Sequence, residues 1–236
     1  MKKNTWYFKM IVLGGIFFFP MLGLNAQEDK NEMELGLRIK KASLVIEEFM
    51  NSPDREASAS LMRKSAAVAI FPSVFKGAFF VGGQYGKGIM CSHDKITGEW
   101  SAPAFFTLGG GSFGFQFGAQ STDLILVIMN QRGLESLLKG KVTLGGDVAV
   151  AAGPVGRKAQ AETDVLLKAE IYSYSRSKGV FAGIALKGAV VASDKESNRS
   201  YYGDDVWFSE DILLNRTVKP KGPASELVST LNIFIK

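Results

Sequence analysis

Few residues in this sequence can perform covalent chemistry. Cys91 is the only cysteine and His93 the only histidine. Two positions apart on a strand they share a face, as a thiol nucleophile and its base would. No Asp or Asn can be assigned as a third member, so His93, beside Asp94 and Lys95, reads as an exposed turn residue. Cys91 reads as a small buried hydrophobe. Gly109-x-Gly111-x-x-Gly114 matches the dinucleotide fingerprint as a string. That fingerprint needs a following helix whose N-terminus meets the pyrophosphate. Here residues 115–127 read as strand, so the match fails in context. Asp194, Glu196 and Asn198 alternate like calcium-loop ligands but lack the glycine of the turn, and read as a solvated loop. A zinc site lacks ligands. The expectation is a non-enzyme with no catalytic residue, no metal and no cofactor.

Binding is the chemistry that remains. An anionic lipid headgroup needs Lys or Arg beside backbone donors, with apolar side chains to enter the acyl boundary. Lys76 and Lys87 flank a glycine-rich hairpin, Arg157 and Lys158 sit on a Gly-Pro loop, and Arg176 with Lys178 sits on a turn. Gathered on one rim, these turns form an anionic-lipid patch. Taken singly, each residue reads as a solvated turn charge.

The elements that must position them centre on residues 71–118, where aromatic residues alternate with glycines. Phe113, Phe115 and Phe117 point one way on a strand and Gly114, Gln116 and Gly118 the other. Repeated strand glycines mark close approach by another segment, a bulge or a ligand. Before this stretch, Leu35, Ile39, Ala42, Ile46 and Phe49 form a helical stripe, and a second helix is expected near 55–64. Residues 66–71 read as a strand stopped by Pro72, and 94–98 as a hairpin turn. The apolar run 122–130 reads as a strand buried on both faces. A short helix at 132–138 follows, then strands at 142–152, 169–175 and 180–193. Residues 200–206 read as a tyrosine-bearing loop, with a short helical segment starting near Asp204 or Asp205, and a terminal helix is expected from Ala224. The fold class is α/β in the α+β sense: a curved, mostly antiparallel glycine- and aromatic-rich sheet covered by N-terminal helices.

The chain has 236 residues with 28 Lys+Arg against 23 Asp+Glu. Lys2, Lys3 and Lys9, the apolar run 10–24 and the exit Leu24-Asn25-Ala26 have the pattern of a secretory signal peptide cut after Ala26. An uncleaved anchor is the alternative. Without those three lysines the count is 25 against 23, a net of +2, so an anionic partner must be drawn by a local patch. The division expected is 1–26 signal peptide, 27–34 frayed N-terminus, 35–210 main domain and 211–236 C-terminal extension. The chain is expected to be exported, periplasmic or secreted, and peripheral to a membrane.

The motifs occur in a telling order: Ala69-Ile70-Phe71-Pro72, Lys76-Gly77, Gly82-Gly83, Gly86-Lys87-Gly88, Trp100-Ser101-Ala102-Pro103 and Gly111 to Gly118. Gly153-Pro154-Val155-Gly156-Arg157, Tyr174 to Gly183 and Tyr202-Gly203 complete it. Over about residues 35–210 the chain resembles the SYLF domain family. This resemblance implies phospholipid binding, which members in bacterial exported and eukaryotic membrane-trafficking proteins share. Eukaryotic members add SH3 or FYVE modules and associate with actin. Such a partner is set aside here because the chain reads as exported. The partner expected is an anionic phospholipid or membrane surface, with no nucleic acid. A scaffolding protein that binds another envelope protein or itself is the alternative from another class, and an apolar-ligand carrier is the third.

Overall fold

The computed structural model describes residues 21–53, 55–78, 82–112, 118–155, 169–177 and 179–235. Two helices, α1 (Met21–Met50) and α2 (Arg55–Lys64), precede strands β1 (Ala67–Ala78), β2 (Gly82–Ser92), β3 (Ala104–Ser112) and β4 (Gly118–Ile128). Helix α3 (Gln131–Leu138) follows, then β5 (Val142–Thr143), β6 (Val150–Ala152), β7 (Ile171–Ser177), β8 (Val180–Gly183) and β9 (Val190–Ser193). The chain closes with α4 (Lys195–Tyr202), α5 (Ser209–Leu213) and α6 (Pro223–Ile235). The strands form one sheet, ordered β5-β9-β3-β2-β1-β4-β7-β6, with β8 also on β7. It curls into a half-barrel. Every pairing between the strands is antiparallel except β6 with β7.

Period-two alternation gives the sheet two buried faces. Ile70, Ile89, Phe105, Ile125 and Tyr174 lie under α1, α2 and α6. Ala69, Met90, Phe106, Leu124 and Leu126 point the other way, toward Leu134 and Leu137 of α3 and Ile212 and Leu213 of α5. Residues buried on both sides of one strand explain why β4 reads as an unbroken apolar run. The α1 stripe buries Leu35, Ile39, Ala42, Ile46 and Phe49 as its spacing requires.

Several boundaries differ from the sequence reading. Helix α1 continues through 27–34, where a frayed segment was expected, and the Lys221 ammonium lies 3.3 Å from Glu32 beside it. Pro72 does not end β1. The strand slips register between Phe71 and Val74, with Ser73 at φ 59°, and resumes. The Asp123 carboxylate accepts the Ser73 N–H at 2.8 Å, which satisfies the bulge. Residues 142–152 and 180–193 each split into two short strands. In the second case, Gly188 turns the chain at φ 83°, and β9 leaves β8 to pair with β3 on the far side of the sheet. Residues 195–202, expected as loop, are helix α4. Residues 211–235 carry Ile212, Leu213, Leu227 and Leu231 into the two cores, so the segment is part of the fold.

Candidate binding surface

Helix α1 crosses the sheet, and its sheet-facing edge meets the strands in a charged row. Lys87 on β2, the Ser73 bulge on β1, Asp123 on β4 and Arg176 on β7 lie at one level on the α1 face. Asp123 and Arg176 are register partners, with the bulge bonded to Asp123. Arg176 donates to Asp123 through Nε at 2.7 Å and Nη2 at 2.6 Å, and its Nη1 pairs with Glu48 of α1. At the other end, Glu34 lies 4.0 Å from Lys87. Glu34, Lys41 and Glu48 recur at seven-residue spacing and so share one helix edge.

The structure brings two of the sequence-selected cations to this row, about 14 Å apart by three strand spacings. The Arg176 charge is engaged with two carboxylates, and Lys87 remains half-exposed. Lys76 is on the opposite face of β1, between Gln84 and Gln120 of the flanking strands, where burial lowers its pKa. Arg157, Lys158 and Lys178 lie outside the described residues, as do Phe113, Phe115 and Phe117.

Just beyond the charged row, Phe75 and Tyr85 face each other across β1 and β2, each 53% exposed. Tyr85 is flanked on β3 by Gly109 and Phe75 on β4 by Ser121, so among the described residues the flanking strands offer the pair small neighbours. The β2 glycines serve the other face. A Cβ on Gly86 would meet Val74 Cγ2 at 2.6 Å, and one on Gly88 would collide with the Ile70 carbonyl and the Phe71 ring. β1 side chains therefore lie flat across β2 backbone.

Beside Tyr85 a polar cleft of about 360 Å³ opens between α1, β2, β3 and the start of α4. Arg38 forms its recessed wall, only 8% exposed, with its guanidinium 5.4 Å above the Phe105 ring. Its carboxylate contacts are long, 3.5 Å to Asp194 and 3.6 Å to Glu34. Asp194 caps α4 by accepting from the Ser197 N–H at 3.2 Å and its hydroxyl at 2.7 Å. Asn198, fully buried, accepts the Phe105 N–H at 2.7 Å. It thus completes the β3 edge where β9 ends. Sequence reasoning passed over Asp194 and Asn198 as solvated, although Asp194-x-x-Ser197 is an N-cap pattern that signals a helix start.

The residues weighed for catalysis are engaged in packing. Cys91 is fully buried and burial pushes its thiol pKa up. His93 stacks on Trp100 at 4.7 Å and its Nδ1–H donates to the Ser65 carbonyl at 3.1 Å. Burial lowers its pKa, outweighing that hydrogen bond. Among the described residues no cluster of His, Cys, Asp and Glu could hold a metal ion, and no helix is long and apolar enough to cross a membrane.

A family model described as Ysc84, a Las17-binding protein actin regulator, matches residues 109–234. The chain is similar to the SH3 domain-containing YSC84-like protein 1 of Homo sapiens, 34% identical over 201 residues, covering 83% of this chain and 58% of that protein. The Xenopus laevis counterpart is 33% identical over 201 residues, with 59% of its length covered. LAS seventeen-binding protein 3 of Saccharomyces cerevisiae is 30% identical over 200 residues, covering 81% of this chain and 43% of its own. The chain thus spans about half the length of the curated relatives it matches. Because the family model matches more than half of the chain, the chain belongs to the Ysc84, or SYLF, domain family.

Proposed function

We propose that this protein is a non-catalytic binding module that attaches to phospholipid surfaces at a cell envelope. The observation that carries this reading is the half-exposed Phe75–Tyr85 pair, set across β1 and β2. Aromatic rings of this kind sit at the boundary between headgroups and acyl chains, with basic residues at the phosphate level. Lys87 flanks the pair, and Arg157, Lys158 and Lys178 are the further cations proposed to meet the anionic surface, whereas Lys76 faces away from the pair. Arg176 serves such a site through its hold on α1. Export through the N-terminal signal pattern belongs to the same proposal.

The test is co-sedimentation with zwitterionic and anionic vesicles across a salt series. Binding to anionic vesicles that fades with salt, and that drops in Phe75→Ser/Tyr85→Ser, supports the reading. Pelleting that is unchanged by the double substitution moves the contact elsewhere, and no pelleting with either vesicle removes lipid from the function. The comparisons favour a second reading, because the yeast relative's name carries Las17 binding and the family description names an actin regulator. Actin and Las17-like partners, set aside on the sequence, therefore belong in the same assay as protein ligands. Saturable co-sedimentation with actin filaments in the absence of vesicles would favour them.

A further inference from the structure

We infer that the cleft beside Tyr85 binds a small zwitterion, a phosphate ester that also carries an ammonium group. The argument starts from Arg38. A guanidinium has five N–H donors, and charge-assisted bonds to carboxylate run near 2.7–2.9 Å. Arg38 is almost wholly buried, yet its carboxylate contacts are 3.5 and 3.6 Å, with the Phe105 ring centroid 5.4 Å away. A buried cation this loosely held, facing an open cleft, has donors left for an anionic oxygen. Ser200 lines the same space and adds a hydroxyl, while those of Thr107 and Ser197 already donate to the Ala192 carbonyl and to Asp194.

The remaining charges decide the ligand's other half. The cleft holds two cations, Arg38 and Lys87, against three carboxylates, Glu34, Asp194 and Glu196. Asp194 is occupied by Ser197 and Arg38, whereas Glu196 is exposed and makes no ion pair among the described residues. A purely anionic ligand would meet net repulsion here. A ligand whose phosphate faces Arg38 and whose ammonium faces Glu196 and Glu34 satisfies both signs. A cleft of about 360 Å³ holds a dozen or so non-hydrogen atoms at the volume of liquid water, roughly glycerophosphoethanolamine. The inference goes beyond surface attachment and stands apart from it, because the cleft can fill from solution or from a bilayer.

The experiment is calorimetric titration of the protein with glycerophosphoethanolamine, and separately with glycerol 3-phosphate, which lacks the ammonium. Binding of the first, with the second about tenfold weaker or more, is the expected result, in line with one charged hydrogen bond. Glu196→Gln should narrow that difference by weakening the zwitterion alone, and Arg38→Gln should weaken both ligands. Because Glu196 has no packing role, its variant remains readable even if the Arg38 variant fails to fold. Equal or tighter binding of glycerol 3-phosphate overturns the inference, as does no binding of either ligand, whatever vesicles show. Titration after loading with phosphatidylethanolamine/phosphatidylglycerol vesicles identifies the source. Lost heat names a membrane headgroup and retained heat a free metabolite, and both leave the zwitterion bound.

Discussion

Asn198 is the side chain whose removal should be most informative about how α4 is fastened to the sheet. It is fully buried, its Oδ1 accepts the Phe105 N–H at 2.7 Å, and its Nδ2 donates to the Ser209 hydroxyl at 3.2 Å. Alanine here removes both bonds and leaves the Phe105 N–H with no acceptor in a closed core. The Ser209 bond is worth about 1 kcal/mol, and an orphaned buried donor costs about 1–3 kcal/mol, giving roughly 3 kcal/mol in total. With a urea slope of about 3 kcal/mol/M for a domain of this size, the unfolding midpoint should fall by about 1 M. The matched control is Asn215→Ala, which loses one exposed bond to Asp211 and should shift stability by less than about 0.5 kcal/mol. Equilibrium urea unfolding by circular dichroism reads both. A midpoint for Asn198→Ala within 0.2 M or so of the control would refute the claim that this side chain completes the β3 edge.

Four further outcomes are expected. The Cys91 thiol, buried and with a raised pKa, should resist a thiol reagent at pH 8 in native protein and react on unfolding; rapid native labelling would contradict its burial. His93 has a native pKa below its unfolded value, so acidification from about pH 6.5 favours the unfolded state, and stability should fall with pH through this window. His93→Gln should flatten that slope relative to wild type. Gly88→Ala forces a methyl into the Ile70 carbonyl and the Phe71 ring, and should destabilise by about 2 kcal/mol or more in thermal unfolding, whereas Gly83→Ala, with open space around it, should not. Arg176→Met leaves Asp123 and Glu48 without their shared cation and should cost about 2 kcal/mol, less than a fully buried pair because Arg176 keeps some solvent contact.

What the sequence made legible follows from which forces are local. The stripe Leu35, Ile39, Ala42, Ile46 and Phe49 encodes α1 because a helix repeats its buried face at a fixed period. The run from Leu124 to Ile128 encodes a doubly covered strand for the same kind of reason. Pro72 misled because its usual effect is to end a strand, and the bulge survives only through a carboxylate from β4 that no local pattern announces. Helix α4 is polar along its length and is fixed by a cap, a buried Asn198 and the Tyr201 ring against Phe105, all tertiary. At the site, residue type revealed the cations but not their neighbours. Arg176 reads as free on a turn until Glu48, from the opposite end of the chain, is seen on it. Phe75 and Tyr85 belong to an aromatic-rich stretch, so nothing in their identity showed that these two rings stay outside the core.

The packing of α6 between the helices that begin the fold also bears on how the chain must be made. Synthesis delivers α1, α2 and every strand before Leu227 and Leu231, which share their core. Until then the apolar face of the sheet lacks part of its cover, and contacts between the two ends of the chain must wait for a long loop to close. The nascent protein is therefore exposed to aggregation until α6 emerges. A stop placed just before α6 should yield insoluble product, even though every described strand of the sheet has been made.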